Sequence, residues 1–176
     1  MLHQFKFKNF RSFRDEAILS LKASSVDEHS EYLEEFRKEK FLRSAMIYGA
    51  NASGKTNVFM AMAASTKFIK DSHLKQADDN IVEFQSFMFD DSSINDPISF
   101  EYIFSIDDRK YVYGYSVLNN EVVEEYLYLY KTVRPTIIFE RSNEKYDYGS
   151  QIIEKEFNKY TDLNTKNKLL LSTATQ

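Results

Sequence analysis

The sequence contains no cysteine and no tryptophan, and it has only two prolines and four glycines among 176 residues. Without cysteine the chain forms neither disulfides nor thiolate metal sites, which fits a reducing compartment, and we expect a cytoplasmic protein. No apolar run approaches the roughly 20 residues that a membrane-spanning helix needs. The amino terminus mixes Lys and Arg with Phe and shows no apolar signal segment, so neither a membrane span nor a secretion signal is predicted.

Histidine is also scarce, and the chain is not basic overall. The three histidines, His3, His29 and His73, are scattered along the chain, whereas metal sites need clustered ligands, so we predict no metal site built on them. The formal net charge is -4. The overall charge therefore does not favour a nucleic-acid partner, although it does not exclude a local basic patch.

Aromatic residues are abundant instead. The chain carries twelve tyrosines and fifteen phenylalanines, most of them between Phe84 and Tyr148. Aromatic side chains at this density favour β-strands. We interpret them as the core and surface of a sheet in preference to a platform for stacked bases. The length suits one globular domain, or a domain with a small subdomain.

The first part of the chain, residues 1–75, predicts a hairpin followed by a strand, a loop and a helix. Residues 2–9 alternate between apolar and polar types, and residues 17–23 form a second short apolar run, which together predict a β-hairpin. Residues 31–41, EYLEEFRKEKF, show apolar residues at helical spacing and predict a charged surface helix. The run SAMIY, residues 44–48, predicts a short buried strand.

The best helix of the sequence follows, from Gly54 to Asp71, because no residue in this stretch breaks the helical pattern. Its predicted inner face consists of Val58, Met62, Ser65 and Ile69.

From residue 81 the hydrophobic period changes to two, and residues 80–141 predict a four-stranded antiparallel meander. The pairs Asp107-Asp108 and Asn119-Asn120 mark two of its turns, since asparagine tolerates the positive φ of a tight hairpin. Residues 72–80 are polar and mark the boundary to the preceding unit. Residues 142–165 are polar and loosely patterned, and the chain closes on the start of an apolar helix.

The motif that carries chemistry is Gly49-Ala50-Asn51-Ala52-Ser53-Gly54-Lys55-Thr56, which fits the Walker A pattern G-x-x-x-x-G-K-[ST]. The two glycines let backbone N–H groups approach phosphate oxygens closely, and the helix that follows directs its amides and positive dipole end at them. Lys55 reaches the β- and γ-phosphates, and Thr56 ligates Mg²⁺. We also assign the neighbouring Asn57 to the cofactor site. An alternative is a strand-to-helix turn that binds nothing.

The loop with Asn51 and Ser53 inside it, together with the opening sequence FKFKNFRSF, resembles the ABC-type ATPases of the SMC, RecF and OLD group. The resemblance is closer still to the bacterial AAA-type, OLD-like ATPases of phage-defence and abortive-infection operons, in which a segment like residues 100–141 follows the loop. It covers nearly the whole chain. It implies an α/β P-loop NTPase with an ABC-ATPase-like head, an N-terminal β-hairpin and an antiparallel meander.

The resemblance also implies roles for individual residues. Lys55 and Thr56 would hold the phosphates and Mg²⁺ of bound ATP, and Asn51 would sit at the γ-phosphate edge of the loop. Arg11 would approach the nucleotide, or it is a solvated turn residue. In this group two heads close on two ATP molecules, which implies a homodimer. No guanine-recognition motif N-K-x-D is present, which favours ATP over GTP.

Other motifs of the group are missing from the sequence. We find no signature motif, no convincing Walker B strand and no switch histidine, so we assign no catalytic residue. Asp90 and Asp91 follow an apolar stretch, but their place at the start of the meander makes them poor Walker B candidates. Gln85 and Gln176 are both candidates for the Q-loop glutamine, and the sequence does not decide between them. We therefore expect an incomplete head, its C-terminal half absent, with residues 142–176 leading into a helical lobe. Alone it would bind ATP without turning it over.

Three hypotheses compete at this point. The first is an ATPase head that drives conformational change in phage defence or DNA maintenance, together with an effector nuclease or toxin. The second is a kinase or small NTPase, which would need an acceptor site and a Walker B acid that we do not see. The third is a non-enzymatic interaction domain whose aromatic meander docks a protein or a nucleic acid, although the acidic run EVVEEY disfavours nucleic acid on that face.

Overall fold

A seven-stranded sheet in which neighbouring strands run antiparallel forms the centre of the fold. The computed structural model describes residues 1–24 and 30–175. Its strands are β1 (Leu2–Lys8), β2 (Ala17–Ser20), β3 (Leu33–Phe36), β4 (Glu39–Leu42), β5 (Ile98–Ile106), β6 (Arg109–Leu118), β7 (Glu121–Tyr130), β8 (Thr136–Ser142) and β9 (Lys145–Tyr148). Its α-helices are α1 (Lys55–Asp71), α2 (Gln151–Thr161) and α3 (Leu170–Ala174). The order of strands in the large sheet is β2-β1-β5-β6-β7-β8-β9.

The predicted N-terminal hairpin and the predicted meander are both confirmed. Strand β1 pairs with β2, and β5 to β8 pair in sequence order. Asn119 and Asn120 adopt φ values of 51° and 65°, the left-handed geometry expected of a two-residue hairpin turn. The hairpin also pairs with the meander through β1 and β5, so that the two segments share one sheet. No helix in the part of the chain that the structure describes is long and apolar enough to cross a membrane.

One face of the sheet forms the core and carries helix α1. Phe5, Phe100 and Tyr115 lie on this face and are buried, which supports the interpretation of the aromatic residues as sheet core. Ser65 of α1 exchanges a hydrogen bond of 2.7 Å with the Tyr115 hydroxyl. The bounds predicted for the helix are confirmed, but its buried stripe runs through Ala61, Ser65 and Phe68 rather than through Val58, Met62 and Ile69, which are only half buried.

The surface helix predicted for residues 31–41 is wrong. A short 3-10 turn, Ser30–Tyr32, leads into the hairpin of β3 and β4. Arg37 and Lys38 form its turn with φ values of 49° and 70°, which a helix does not permit. Phe36 and Phe41, five residues apart, both pack against His3, and this tertiary contact overrides the helical spacing of the sequence.

The buried strand predicted for residues 44–48 is also wrong. This segment pairs with no strand of the described chain, and Met46 and Tyr48 are 80% and 82% exposed. The reason is geometric, because an apolar run forms a buried strand only where neighbouring strands accept its backbone hydrogen bonds. The seven-stranded sheet is built from other segments and leaves this one outside.

The carboxyl-terminal part contains two elements that the sequence did not reveal. Strand β9 extends the sheet beyond β8, and helix α2 begins where the Ser150 hydroxyl accepts a hydrogen bond from the Ile153 amide. Phe157 of α2 packs against Phe139 and Tyr148, on the same sheet face as α1. The polar composition of residues 142–165 concealed both elements, although Ile153, Phe157 and Tyr160 of α2 recur at helical spacing and are partly buried.

Helix α3 is held at its start by a buried acid. The carboxylate of Glu125, on β7, accepts hydrogen bonds from the amides of Leu170 and Leu171 at 2.7 and 3.0 Å, and a third from the Tyr113 hydroxyl. The buried Arg141 guanidinium lies 3.9 Å away and donates to the backbone carbonyl of Lys168. Burial raises the pKa of Glu125, while the two amides and the guanidinium oppose that shift.

His3 makes folding sensitive to acid. Its ring stacks on Phe41 and is buried, and burial together with the charges of Lys110 and the terminal amine lowers its pKa from 6.5 to about 4. The unfolded chain therefore binds this proton more tightly, so stability is lost as the pH falls from 6.5 towards 4. Between pH 7 and pH 4, we expect the unfolding free energy of the wild type to fall by about 2 kcal/mol more than that of His3→Gln. Urea unfolding at both pH values measures this difference, and equal losses in the two proteins would contradict it.

Candidate functional site

The predicted phosphate loop leads directly into α1, and Gly54 makes this connection. Gly54 is the N-cap residue with a φ of 91°, a conformation that side chains disfavour. A Cβ atom there would also lie 3.1 Å from the ring of Phe13 and 3.3 Å from the Ser12 hydroxyl. Both the backbone conformation and the close approach of the N-terminal turn therefore require glycine at this position.

The ammonium group of Lys55 lies over the loop. Its Nζ atom donates hydrogen bonds to the carbonyl oxygens of Gly49 and Ala50, at 2.9 and 2.7 Å. A Cβ on Gly49 would lie 2.7 Å from the Ser53 hydroxyl, so a larger residue there would require the Ser53 side chain to move. The loop thus places a positive charge beside backbone that can approach an anion closely.

The N-terminus of α1 adds backbone amides that, like the Lys55 ammonium, attract negative charge. The helix is 17 residues long, and no side chain within the described residues caps it. Its first amides and the positive end of its dipole favour negative charge. Thr56 and Asn51 are exposed, and among the described residues the Thr56 hydroxyl forms no hydrogen bond. These side chains are therefore accessible to a phosphate and its Mg²⁺ ion.

The N-terminal turn packs against this helix start. Phe10 and Phe13 exchange backbone hydrogen bonds of 2.9 Å around Arg11 and Ser12, which form the tip of the turn. The Ser12 hydroxyl accepts a hydrogen bond of 2.8 Å from the Asn57 side chain. The N-F-R-S-F sequence, far from the loop in the chain, is thereby brought to the first turn of α1.

Arg11 lies between this turn and the segment before the meander. It has a φ of 52°, and its amide donates to the carbonyl of Gln85 at 2.8 Å. Its guanidinium carbon lies 5.6 Å from the centre of the Phe10 ring. The Nε atom is buried and has no hydrogen-bond partner in the part of the chain that the structure describes. Arg11, Asn57 and Gln85 line one surface pocket.

Asn9 is the site residue that the sequence did not single out. Its side chain is buried, donates to the carbonyls of Ser93 and Asp96 at 2.7 and 2.8 Å, and accepts from the amide of Phe87 at 3.0 Å. These three bonds attach residues 87–96 to the N-terminal turn. Only its place at the head of N-F-R-S-F could have marked it.

We expect Asn9→Gly to lower the unfolding free energy by about 2–3 kcal/mol, because two buried carbonyls and an amide lose their partner. Glycine tolerates the positive φ of 54° at this position, so the substitution adds no backbone strain. Urea denaturation measures the change. Asn95→Ala, an exposed residue of the same segment, is the control and should cost little. Equal effects of the two substitutions would argue against the role of Asn9.

The remaining candidates lie elsewhere. Asp90 pairs with Arg14 at 2.9 Å and accepts hydrogen bonds from Ser92, which hold the pKa of its carboxyl below the ordinary value. It closes a turn rather than ending a strand, so its placement does not favour a Walker B role. His73 contacts Ser172, and the described residues hold no cluster of metal-ligating side chains. Gln176 and His29 lie outside the described residues.

The loop, the lysine above it and the uncapped helix define the chain as a P-loop nucleotide-binding protein. The family described as "AAA domain, putative AbiEii toxin, Type IV TA system" matches residues 44–166, which is more than half of the chain. The chain belongs to this family, and its P-loop is the nucleotide-binding element of an AAA-type ATPase domain. A search of curated proteins finds no match.

Proposed function

We propose that the chain binds ATP with Mg²⁺ as the phosphate-binding part of an ABC-type, OLD-like ATPase head. The observation that carries this proposal is the position of Lys55, whose ammonium lies 2.9 and 2.7 Å from the carbonyls of Gly49 and Ala50, over the loop that precedes an uncapped helix. This arrangement suits the β- and γ-phosphates of a nucleotide. Thr56 would hold the Mg²⁺ ion, which neutralises phosphate charge when it is bound.

The surroundings of the loop support a partner head. Met46 and Tyr48, which directly precede the loop, have large apolar side chains, and both are exposed. Exposed apolar side chains grouped near one site are a common feature of surfaces that pack against other protein. We propose that a second head covers this side and that ATP is held between the two, as part of an effector system in phage defence or DNA maintenance.

Calorimetric titration of the chain with a non-hydrolysable ATP analogue tests the proposal. We expect saturable binding with one nucleotide per chain, stronger with Mg²⁺ than with EDTA, because Thr56 would help to hold the ion and the ion would offset phosphate charge. The circular dichroism spectrum of the same sample establishes that the chain is folded. A folded chain that fails to bind the analogue would contradict the proposal.

Hydrolysis is expected to be negligible for this chain alone. Phosphoryl transfer needs a residue that orients the attacking water, and Asp90, the nearest candidate in the sequence, is engaged by Arg14 and Ser92. Release of phosphate from ATP, followed over many turnovers, measures this. Turnover that disappears when Lys55 is replaced would show that the described residues already contain a complete catalytic site.

A further inference from the structure

A pocket of about 290 Å³ lies beside the first turn of α1, on the side of the N-terminal turn. The side chains that line it include Arg11, Ser12, Asn57, Gln85, Met88 and Phe89. Three segments that are distant in sequence therefore meet here. Asn9 holds one of them in place, because it attaches residues 87–96 to the N-terminal turn.

One side of the pocket is polar. Asn57 uses its amide nitrogen to bond Ser12, and Gln85 directs its amide nitrogen only at the weakly accepting sulfur of Met88. The carbonyl oxygens of both side chains therefore remain available, and Arg11 adds a buried Nε donor without a partner among the described residues. These groups offer both hydrogen-bond donors and acceptors, which is what the edge of a nucleobase or a ribose requires.

The other side is apolar. Phe89 is 86% exposed, and Met88 is also exposed, although both are large apolar residues next to a polar pocket. The Phe89 ring lies edge-to-face with Phe87, with the ring centres 5.6 Å apart, and its high exposure leaves aromatic surface accessible beside the pocket. Accessible aromatic surface beside hydrogen-bonding side chains suits a flat heterocyclic ring.

The position of the pocket next to the loop determines which part of a bound nucleotide can reach it. Asn57 lies two residues after Lys55 on the first turn of α1, and its side chain faces the pocket. A nucleotide whose phosphates occupy the loop can therefore direct its nucleoside end past Asn57. We propose that this pocket holds the base of the bound nucleotide, stacked on Phe89, with Gln85 and Arg11 bonding its polar edge or the ribose. This inference rests on the proposed function.

The test separates the base from the phosphates. The wild type, Phe89→Ala and Phe59→Ala are titrated with the Mg²⁺ complexes of a non-hydrolysable ATP analogue and of inorganic tripolyphosphate. Phe59 is an exposed aromatic residue on α1 that does not line the pocket, so it is a matched control. We expect Phe89→Ala to weaken binding of the ATP analogue about five- to twentyfold and to leave the affinity for tripolyphosphate unchanged. Phe59→Ala should change neither affinity.

The contrary results are distinguishable. If Phe89→Ala leaves the affinity for the analogue unchanged, or weakens both ligands equally, the pocket does not hold the base. If the wild type binds tripolyphosphate as tightly as the analogue, the phosphate loop is functional but the base subsite is refuted. If the folded wild type binds neither ligand, the proposed function fails and the inference fails with it. Gln85→Ala is a second variant, for which a several-fold loss confined to the analogue is expected.

Discussion

Replacing Lys55 with alanine is expected to weaken binding of Mg²⁺-ATP by about a hundredfold or more. The Nζ atom now bonds the carbonyls of Gly49 and Ala50, and a phosphate oxygen in the loop would replace these acceptors with a charged one. A hydrogen bond to a charged group contributes roughly 1.5–3 kcal/mol, and two such bonds reach this factor. Calorimetric titration of both proteins measures the change.

The matched control for this substitution is Lys67→Ala. Lys67 lies on the same helix, is exposed and pairs with Asp71 at 2.8 Å, far from the loop in sequence. An exposed ion pair of this kind contributes little to stability, so Lys67→Ala should retain both the fold and the affinity. Lys55 is likewise bound only to backbone carbonyls at the surface, so its loss should not unfold the chain. Unchanged affinity of Lys55→Ala would refute the phosphate-binding role of the loop.

Glu125→Ala is expected to lower the unfolding free energy by about 3–5 kcal/mol, the largest effect on stability that the structure predicts. The substitution leaves Arg141 buried beside an empty volume and removes the acceptor of the Leu170 and Leu171 amides. Helix α3 would then lose its attachment to β7. Urea denaturation measures the loss, and hydrogen exchange at Leu170 and Leu171 shows whether α3 opens first.

Two variants separate charge from hydrogen bonding in this cluster. Glu125→Gln keeps an oxygen acceptor but loses the charge near Arg141, and we expect it to cost about half as much as alanine. Glu124→Ala is the control. Glu124 precedes Glu125 on β7, is exposed, and accepts a hydrogen bond of 3.4 Å from the Ser116 hydroxyl. If Glu125→Ala is no more destabilising than Glu124→Ala, the buried cluster does not hold α3.

Local patterns in the sequence predicted the elements whose stability is mainly local. The meander follows from alternating aromatic residues and from the Asn119-Asn120 turn, and the bounds of α1 follow from a long stretch without helix breakers. The helix predicted for residues 31–41 failed for the opposite reason. Its apolar spacing suits a helix, but the packing of Phe36 and Phe41 on His3 stabilises a hairpin, and nothing in the local sequence reveals that contact.

The candidate site divides in the same way. The sequence by itself determined the Gly49–Thr56 loop, because close approach to phosphate needs glycine, lysine and a hydroxyl at fixed spacing, and this spacing can be read along the chain. Only the tertiary structure placed Arg11 and Gln85 beside Asn57 and gave Asn9 its role. Those relations are made by hydrogen bonds between segments 45 or more residues apart in the chain, so they depend on how β1 and β5 pair in the sheet. The sequence specified the phosphate chemistry, and the fold determined which side chains surround it.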